Sequence, residues 1–348
     1  MSEATRSPTI LAFKGVEVTY QRRNGPAQTA LRDINVELGR GEILGLVGES
    51  GSGKTTLGRV PFGLVPVTAG EVIFDGVVIT TLNRRERRLL SAKMQMVFQD
   101  PYGSLNPART IGDTLIEPLL AHPGASPTDQ GGRDRVRQVL ELVGLTADAS
   151  RRLPHEFSGG QRQRIAIARA LVLEPKLIVC DECVSALDLS VQAQILNLLA
   201  DLREQLGVSL LFISHDLGVV RHFADRLVVL YGGQVMEEGK PLDLAQRPRH
   251  PYTDFLQAAA PVPDPEQQRQ RRVAFAARTR GGEQRAPASS GCPFAPRCPH
   301  AIDRCATERP TLRATDSGGR VACHRADELY LGDLAFGSPA AIAGQVAP

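Results

Sequence analysis

The stretch GESGSGKT at residues 48–55 fits the phosphate-binding pattern G-x-x-x-x-G-K-[ST]. It follows an apolar run, Glu42 to Val47, that predicts a buried strand, and it leads into a predicted helix. In this context the glycines let backbone amides surround a polyphosphate, and the helix N-terminus adds a favourable dipole. A flexible Gly/Ser linker would need neither the strand nor the helix, so the sequence predicts a nucleoside triphosphate site. Its expected residues, with Lys54 bridging the terminal phosphates and Thr55 ligating magnesium, are Gly48, Glu49, Ser50, Gly51, Ser52, Gly53, Lys54, Thr55 and Thr56.

Length, composition and charge limit the kinds of protein that this chain can be. A chain of 348 residues with 42% hydrophobic residues can hold one large α/β domain with an appendage, or two ordinary domains. Its 41 basic and 38 acidic residues nearly balance, so the net charge of +3 gives no reason to expect nucleic-acid binding. No run of about eighteen apolar residues occurs, and the N-terminus lacks the apolar core of a signal peptide. We therefore expect the protein to stay in the cytoplasm.

The segments around the phosphate loop predict an α/β fold. Alternating apolar residues between Phe13 and Leu38, on either side of Asn24-Gly25, predict an N-terminal antiparallel hairpin, and Gly70 to Gly76 adds a strand. Residues of about 100 to 165 lack a strand pattern, and they contain an amphipathic helix that ends at Gly144, which indicates a helical insertion. Arg84 to Arg88 is expected to be a solvated helix face.

The second half of the chain predicts a mostly parallel sheet. Apolar runs end at Cys180 and at Ile213, and between them Val191, Ile195, Leu198 and Leu202 recur at helical spacing. Strands that alternate with helices form parallel sheets, whose functional residues lie at the carboxyl ends of the strands. A second hairpin is expected over residues 227–236, and a linker rich in Pro, Arg and Gln over residues 261–290.

Two adjacent carboxylates, Asp181 and Glu182, follow the run that ends at Cys180. Two acids after an apolar run usually form solvated surface, but beside a phosphate loop they favour nucleotide chemistry. On that interpretation Asp181 holds magnesium, commonly through water, and Glu182 polarises the water that attacks the γ-phosphate.

The segment from Phe157 to Arg164, FSGGQRQR, opens a predicted helix. It resembles the signature sequence of the ATP-binding cassette (ABC) family, with Phe157 where leucine is more usual. Ser158, Gly159, Gly160 and Gln161 would form an anion site of the same physical kind as the phosphate loop. The resemblance implies a head-to-tail pair of subunits, in which each signature closes on the ATP that the other subunit holds.

Other positions match the same family in order and spacing. Gln99 resembles the Q-loop glutamine that senses magnesium and the γ-phosphate, so it is expected at the nucleotide and among the magnesium ligands with Thr55 and Asp181. The segment Ser185 to Asp188 resembles the D-loop that crosses the dimer interface. His215 is similar to the switch histidine at the γ-phosphate, and Tyr20 to the aromatic residue that stacks on adenine. Taken singly, such a histidine or tyrosine is usually an ordinary surface or packing residue. The resemblance implies an ATPase whose catalytic residues are Glu182, His215, Gln99 and Lys54.

Two positions depart from what this resemblance implies. Cys183 stands where the family usually has proline, and Pro61 lies in the helix that begins at Lys54, where it should kink the helix or end it early. Neither residue supplies a catalytic group. We therefore expect ATP turnover to survive both departures.

Further phrases resemble the ATPases of dipeptide, oligopeptide and nickel importers, most closely the second (F-type) of the two ATPases in these systems. The phrases are Val97 to Pro107, His155 to Ser158, His250 to Thr253 and Gly291 to Pro299. The resemblance implies a second, homologous ATPase subunit, two membrane permease subunits, an extracytoplasmic solute-binding protein and no nucleic-acid partner. It also implies a peripheral position on the cytoplasmic face of the inner membrane.

Cys292, Cys298, Cys305 and Cys323 have the spacing C-x5-C-x6-C-x17-C, which is not the paired C-x2-C of common zinc modules. In a reducing compartment such a cluster indicates a metal site before it indicates disulfides. In peptide importers this tail resembles a site for a [4Fe-4S] cluster held by four thiolates, with zinc or free thiols as the alternatives. Cys180 is interpreted as a small buried hydrophobe.

These observations predict a P-loop ABC ATPase core with an N-terminal antiparallel subdomain, a helical insertion and a small Cys-rich extension. The expected ranges are 8–260 for the ATPase domain, 261–290 for the linker, 291–330 for the Cys-rich region and 331–348 for a tail. The predicted function is to power uptake of di- or oligopeptides, with nickel, glutathione or another solute as alternatives. A soluble ABC ATPase acting on nucleic acid or ribosomes is the alternative from another class, while a P-loop kinase would explain neither Gln99 nor the signature.

Overall fold

The computed structural model describes residues 8–21, 25–100, 103–122, 129–260 and 290–329, together with positions 266, 269 and 331. The chain divides into two compact units, and neither is one continuous stretch of sequence. The first unit comprises Met1–Val18, Asn35–Ile43 and Thr55–Ile213, and the second comprises Thr19–Ile34, Leu44–Lys54 and Ser214–Pro348. Asn24 of the predicted turn, Pro101, nearly all of the predicted linker and most of the predicted tail lie outside the described residues.

The bounds of the regular elements are as follows. The strands are β1 (Thr9–Tyr20), β2 (Gln28–Gly39), β3 (Ile43–Val47), β4 (Ala69–Phe74), β5 (Val77–Val78), β6 (Met94–Val97), β7 (Leu177–Asp181), β8 (Ser209–Ser214), β9 (Arg226–Tyr231), β10 (Gln234–Gly239), β11 (Arg313–Ala314) and β12 (Arg320–Val321). The helices are α1 (Lys54–Arg59), α2 (Arg84–Leu90), α3 (Ile111–Ala121), α4 (Asp129–Leu142), α5 (Gly159–Leu171), α6 (Leu189–Leu206), α7 (Leu217–Val220), α8 (Pro241–Gln246), α9 (Pro251–Ala259) and α10 (Asp303–Thr307).

The N-terminal strands form the predicted antiparallel subdomain, in the order β2-β1-β4-β5. β4 pairs antiparallel with β1, with Leu11 opposite Phe74 and Phe13 opposite Val72. Buried positions alternate along most of β2, as a strand with one buried face requires. The sequence therefore predicted the antiparallel type of this sheet and the neighbouring positions of β1 and β2, but not that β4 pairs with β1.

The first unit also contains three parallel strands. β7 lies between β6 and β8, with Leu177 opposite both Met94 and Ser209. Every residue of β7 and β8 is buried, as expected for parallel strands. Because parallel strands end at the same edge, Gln99 and the carboxylates Asp181 and Glu182 follow neighbouring strand ends. The sequence predicted the strand end at the carboxylates, but it did not predict β6 before Gln99.

The helices confirm most of the predicted boundaries. α4 ends just before Gly144, and α1 ends at Arg59, two residues before Pro61, as expected for a residue that cannot continue a helix. α3 was not predicted, because Pro118 lies within it and suggested a loop. Arg84 to Arg88 form part of α2 and are mostly exposed, although Arg87 donates to the carbonyls of Thr80 and Leu82. Within the ranges that the structure describes, no helix combines the length and apolar character needed to cross a membrane.

The second unit contains a mixed set of strands. β3 pairs parallel with β9, and β9 and β10 form the predicted hairpin. The C-terminal strands then extend this hairpin, because β12 pairs antiparallel with β10 and β11 pairs with β12. The sequence predicted a separate C-terminal region but not this hydrogen-bonded junction, since β11 and β12 are only two residues long each.

Candidate functional site

The phosphate loop of the second unit is shaped by its glycines and by Lys54. Gly53 has a φ of +102°, and a Cβ there would lie 2.9 Å from the carbonyl oxygen of Ala30, so only glycine suits this position. The buried Lys54 donates from Nζ to the carbonyl oxygens of Gly48 at 2.8 Å and Glu49 at 2.9 Å. The loop backbone therefore holds the ammonium where it can exchange these acceptors for phosphate oxygens.

The same loop lines a cavity of about 430 Å³ in the second unit. Besides residues 49–52, its walls include Thr29 and Arg32 of β2 and, from the C-terminal segment, Pro293 and Arg309. This volume lies within the range of small-molecule sites, and the two guanidinium groups give it the charge that suits a polyphosphate. The residues present thus fit a nucleotide.

Two further predicted residues of the second unit are accessible to a ligand. Tyr20 ends β1 with 41% of its surface exposed, so its ring face is available for stacking. His215 lies exposed between β8 and α7, next to Asp216, whose Oδ1 accepts from the N–H of Gly218 at 2.7 Å and caps α7. The cap orients the turn that carries the histidine.

In the first unit, Thr55 and Asp181 meet. The Thr55 hydroxyl donates to Asp181 Oδ1 at 3.0 Å, and the guanidinium of Arg59 lies 3.6 Å from Asp181 Oδ2. Asp181 is only 3% exposed, and these contacts offset the cost of its burial. Magnesium at nucleotide sites commonly takes one or two protein oxygens and completes its shell with phosphates and water, so this pair fits the ion.

Glu182 has an unusual backbone and a glutamine partner. Gln99 donates from Nε2 to Glu182 Oε2 at 3.2 Å, so the structure brings these two predicted residues together. Glu182 has a φ of 48°, in the left-handed region, and its N–H donates to the carbonyl oxygen of Ile213 at 3.1 Å. Such strain costs on the order of 1 kcal/mol and is concentrated at functional sites.

The segment after Glu182 is held by hydrogen bonds between residues that are close in sequence. Ser185 donates to the Glu182 carbonyl oxygen at 2.9 Å, and Asp188 caps α6 by accepting from the Val191 N–H at 2.9 Å. Donation by the Ser190 hydroxyl, followed by the Val191 N–H, lowers the pKa of Asp188. The next residue, Leu189, is 81% exposed, so the predicted D-loop leads into an accessible apolar side chain.

Cys180 and Cys183 are both buried beside these carboxylates. A side-chain hydrogen bond with Cys183, and then burial, raises the pKa of Cys180. Cys180 is thus the small buried residue that the sequence predicted.

The predicted signature forms the N-terminus of α5 in the first unit. The Ser158 hydroxyl accepts from the Gln161 N–H at 3.3 Å, and Gln161 Oε1 accepts from the Ser158 N–H at 3.0 Å, which is a capping box. Phe157 is buried, with the guanidinium of Arg152 at 4.4 Å from its ring centre, so it replaces the usual leucine as a packing residue. Ser158 and Gln161 are exposed and therefore accessible to a phosphate.

The four C-terminal cysteines line one cavity of about 20 Å³ in the second unit. The N–H of Cys292 donates to the carbonyl oxygen of Cys305 at 2.8 Å, which brings together residues that are distant in sequence. Burial, together with a smaller contribution from neighbouring thiols, raises the pKa of Cys298 to about 12 and that of Cys323 to about 11. Within the described ranges, no three His, Cys, Asp or Glu side chains are arranged to hold a metal ion.

Two family profiles match parts of this chain. The family profile described as "ABC transporter" matches residues 31–185, and that described as "Oligopeptide/dipeptide transporter, C-terminal region" matches residues 236–305. A relative from Brucella ovis, described as a peptide import ATP-binding protein, is 48% identical over 323 residues, which cover 92% of this chain and 99% of the relative. This chain belongs to the ABC transporter ATPase family.

Other comparisons agree with the ABC assignment. The oligopeptide transport ATP-binding protein OppF of Salmonella typhimurium is 46% identical over 303 residues, covering 86% of this chain and 89% of OppF. The dimeric ATP-binding cassette MJ0796, solved with ADP and Pi, superposes with a TM-score of 0.61 at 31% identity, covering 67% of this chain and 99% of that one. As an ABC transporter ATPase, the protein hydrolyses ATP.

Sequence reasoning missed two ABC ATPase residues that contact the phosphate loop. The Tyr252 hydroxyl accepts from the Glu49 N–H at 2.8 Å, and Arg297 donates to both carboxylate oxygens of Glu49 at 2.7 and 2.9 Å. This hydrogen-bonded pairing raises the pKa of Arg297. Both residues lie in phrases that resembled the importer ATPases, but a phrase carries no information about which distant residue it contacts.

Proposed function

We propose that this ABC ATPase powers the uptake of di- or oligopeptides through separate membrane permease subunits. The observation that carries the proposal is the match of residues 236–305 to the C-terminal region of oligopeptide and dipeptide transporters. The names of the relatives from Brucella and Salmonella support the same solute class. Nickel, glutathione and other solutes are the alternatives that uptake measurements would separate.

At the proposed ATP site, backbone amides of residues 48–53 and the hydroxyl of Thr56 contact the phosphates, and Tyr20 stacks on adenine. Lys54 balances charge on the terminal phosphates, which is where negative charge develops during phosphoryl transfer. The carbonyl contacts of Lys54 support this role because they hold the ammonium at the loop. Thr55 and Asp181 hold magnesium, which supplies neutralising charge at the phosphates when bound.

Hydrolysis needs a water molecule oriented toward the γ-phosphate. We assign its polarisation to Glu182, and the sensing of magnesium and the γ-phosphate to Gln99 and His215. The hydrogen bond between Gln99 and Glu182 supports this assignment, because it restrains the carboxylate in one position. The left-handed backbone at Glu182 is further support, since strain of this kind persists where function requires it.

The signature requires a second subunit. We propose that Ser158, Gly159, Gly160 and Gln161 close on ATP held by a homologous but different ATPase subunit, and that the pair docks on two permease subunits. An extracytoplasmic binding protein would deliver the solute, and this chain would lie on the cytoplasmic face of the inner membrane. The exposure of Ser158 and of Leu189 supports such an interface.

For the C-terminal cysteines we propose a [4Fe-4S] cluster with Cys292, Cys298, Cys305 and Cys323 as its thiolate ligands. Their shared cavity supports this donor set. Binding would require the thiols to move closer together, because no three of them are arranged as metal ligands in the described residues. Their raised pKa values mean that a cation must displace the thiol protons on binding. Anaerobic purification tests the proposal: iron and sulfide in equal amounts support it, whereas bound zinc or metal-free thiols contradict it.

We keep the predicted domain ranges as part of the proposal: an ATPase domain over 8–260 with a helical subdomain over about 100–165, a linker over 261–290, a Cys-rich region over 291–330 and a tail. The chain order of these ranges does not follow the two compact units, because residues on both sides of the linker belong to the second unit.

Uptake in cells tests the function directly. A tagged copy is expected to co-purify with two permease subunits and a second ATPase, and cells carrying only Lys54→Ala should lose uptake of a labelled tripeptide. Loss of nickel uptake with normal tripeptide uptake would move the solute to the nickel class. Co-purification with nucleic acid or ribosomes, without permeases, would overturn the importer assignment.

A further inference from the structure

Glu49 occupies the first x position of the phosphate-loop pattern, and its carboxylate is contacted by a residue of the C-terminal segment. Arg297 forms a bidentate ion pair with the Glu49 carboxylate, with Nη1 at 2.7 Å from Oε2 and Nη2 at 2.9 Å from Oε1. Paired N–H donors of this kind fix orientation as well as distance, because the planar guanidinium matches the planar carboxylate. The backbone N–H of Glu49 is held separately by the Tyr252 hydroxyl at 2.8 Å.

Aromatic rings of the second unit restrict the position of Arg297. Its guanidinium carbon lies 4.7 Å from the ring centre of Phe255 and 5.7 Å from that of Phe294. Phe294 is buried, and its ring centre lies 5.3 Å from those of both Tyr231 and Tyr252. The arginine is therefore oriented by a packed aromatic cluster rather than held by one surface contact.

The same arginine lies within the cysteine segment. It ends a short 3₁₀ helix, Ala295–Arg297, which is closed by hydrogen bonds from Ala295 N–H to the Cys292 carbonyl oxygen and from Cys298 N–H to the Ala295 carbonyl oxygen. Cys292 and Cys298 therefore flank one rigid turn. Their thiols line the cysteine cavity while Arg297 contacts the phosphate loop.

From this arrangement we infer that Arg297 is a positioning residue for ATP binding. Through Arg297, ligand binding to the four cysteines and nucleotide binding to the phosphate loop affect each other. The inference rests on the proposed function. In this role Arg297 acts through Glu49 rather than through a contact of its own with ATP or magnesium, and it orients Glu49 and thereby the backbone of the loop. If a ligand on the cysteines shifts the turn, the ion pair transmits that shift to the loop, and ATP must shift the cysteines by the same coupling free energy.

Nucleotide binding by the full chain provides the first test. Arg297→Ala should weaken binding of MgATP about fivefold, as expected for a partly exposed ion pair, and should raise KM while leaving kcat within about twofold. Arg297→Lys should restore part of the affinity. Arg304→Ala is the matched control, because Arg304 also forms a bidentate ion pair, with Glu308 in the same segment, at 2.7 Å for both contacts.

A double-mutant cycle separates this role from general loosening. If the pair transmits the effect, Glu49→Gln alone, Arg297→Ala alone and both together should weaken binding by the same factor. Additive losses, or an affinity within about twofold of wild type for Arg297→Ala, would overturn the inference. If wild type itself neither binds nor hydrolyses ATP, the proposed function fails instead.

Thiol modification supplies a readout that does not depend on turnover. In metal-free wild type, in which the thiols carry no cluster, N-ethylmaleimide labelling of Cys298 and Cys323, followed by mass spectrometry, should slow when MgATP is added. In Arg297→Ala the same addition should leave the labelling rate unchanged, while Arg304→Ala should behave as wild type. Equal protection by ATP in wild type and Arg297→Ala would overturn the coupling even if ATP affinity changed.

Discussion

The chain contains two glycine-rich helix N-termini that suit phosphate, and they are held in different ways. The phosphate loop of the second unit is tied to distant residues of its own chain, through Glu49 to Tyr252 and Arg297. The signature at α5 satisfies its own first turn through the Ser158 and Gln161 capping box, and both side chains are exposed. The phosphate loop is held by contacts with distant residues of its own chain, and we call it the braced loop. The signature is held by the capping box of its own first turn, and its side chains are exposed.

Under the proposed function, this difference explains how one cassette can hold ATP and still need a partner. Bracing keeps the phosphate loop in a conformation that binds nucleotide, which lowers the ordering cost on binding. A self-capped, exposed helix end keeps its shape without a ligand and can meet a phosphate presented by another subunit. Binding is therefore expected to depend on the first site, and turnover on both.

The largest effect is expected from the braced loop. Lys54→Ala removes the charge that we assign to neutralising the terminal phosphates, so ATP hydrolysis should fall by at least about 100-fold, measured as phosphate release. Transport should be lost in parallel. Lys240→Ala is the control, since Lys240 precedes α8 and lies outside both anion sites. Hydrolysis within about tenfold of wild type in Lys54→Ala would contradict the assignment of this loop.

The signature should respond differently. Ser158→Asp keeps an N-cap acceptor but adds negative charge where a phosphate is expected, so hydrolysis by the assembled complex should fall about 30-fold or more. The affinity of this chain for its own ATP should stay within about twofold, because the braced loop is unchanged. Ser158→Asn, which caps the helix without charge, is the control. An equal loss of ATP affinity in isolated Ser158→Asp would break the distinction between the two sites.

A smaller effect is expected beside Glu182, the proposed catalytic carboxylate. Cys183→Pro restores the residue that the family usually has after the glutamate, but Cys183 is buried and supplies no catalytic group. ATP hydrolysis by the assembled complex should therefore change by less than about tenfold. At least tenfold faster hydrolysis would show that the turn at Glu182 limits turnover, in addition to the two anion sites.

The smallest effect lies outside both anion sites. Lys176, at 2.7 Å, and Arg40 lower the pKa of Asp75 to about 2, from an ordinary value of 3.8. Because the folded pKa is lowered, the stabilisation is present above about pH 4 and is lost as the pH falls through about 2. Asp75→Asn should thus reduce the free energy of unfolding at neutral pH by about 1 kcal/mol, since both cations are partly exposed.

Urea denaturation of wild type and Asp75→Asn across this pH range checks the prediction. The difference between the two proteins should shrink as the pH is lowered through about 2, because protonated Asp75 no longer attracts the two cations. A difference that does not change with pH would mean that Asp75 acts through its backbone turn instead. ATP affinity should be the same in both proteins.

Local patterns predicted much of the fold and of the candidate site. The alternation in β1 and β2, the apolar run of β7 and the spacing within α6 each reflect burial within one element, so they can be recognised from neighbouring residues. The end of α1 before Pro61 followed from the missing N–H of proline. α3 was missed for the same kind of reason, because Pro118 is tolerated where tertiary packing supports the helix.

The sequence by itself determined the phosphate loop, the carboxylates at the end of a strand and the signature, because their chemistry depends on residues that are adjacent or one helical turn apart. Only the tertiary structure decided which distant residues support them. Thr55 meets Asp181 across 126 positions, and Glu49 meets Arg297 across 248. Such contacts depend on how strands and turns pack, and hydrophobic periodicity carries no information about that distance. The phosphate loop could thus be predicted from sequence, whereas its contact with Arg297 in the cysteine segment could not.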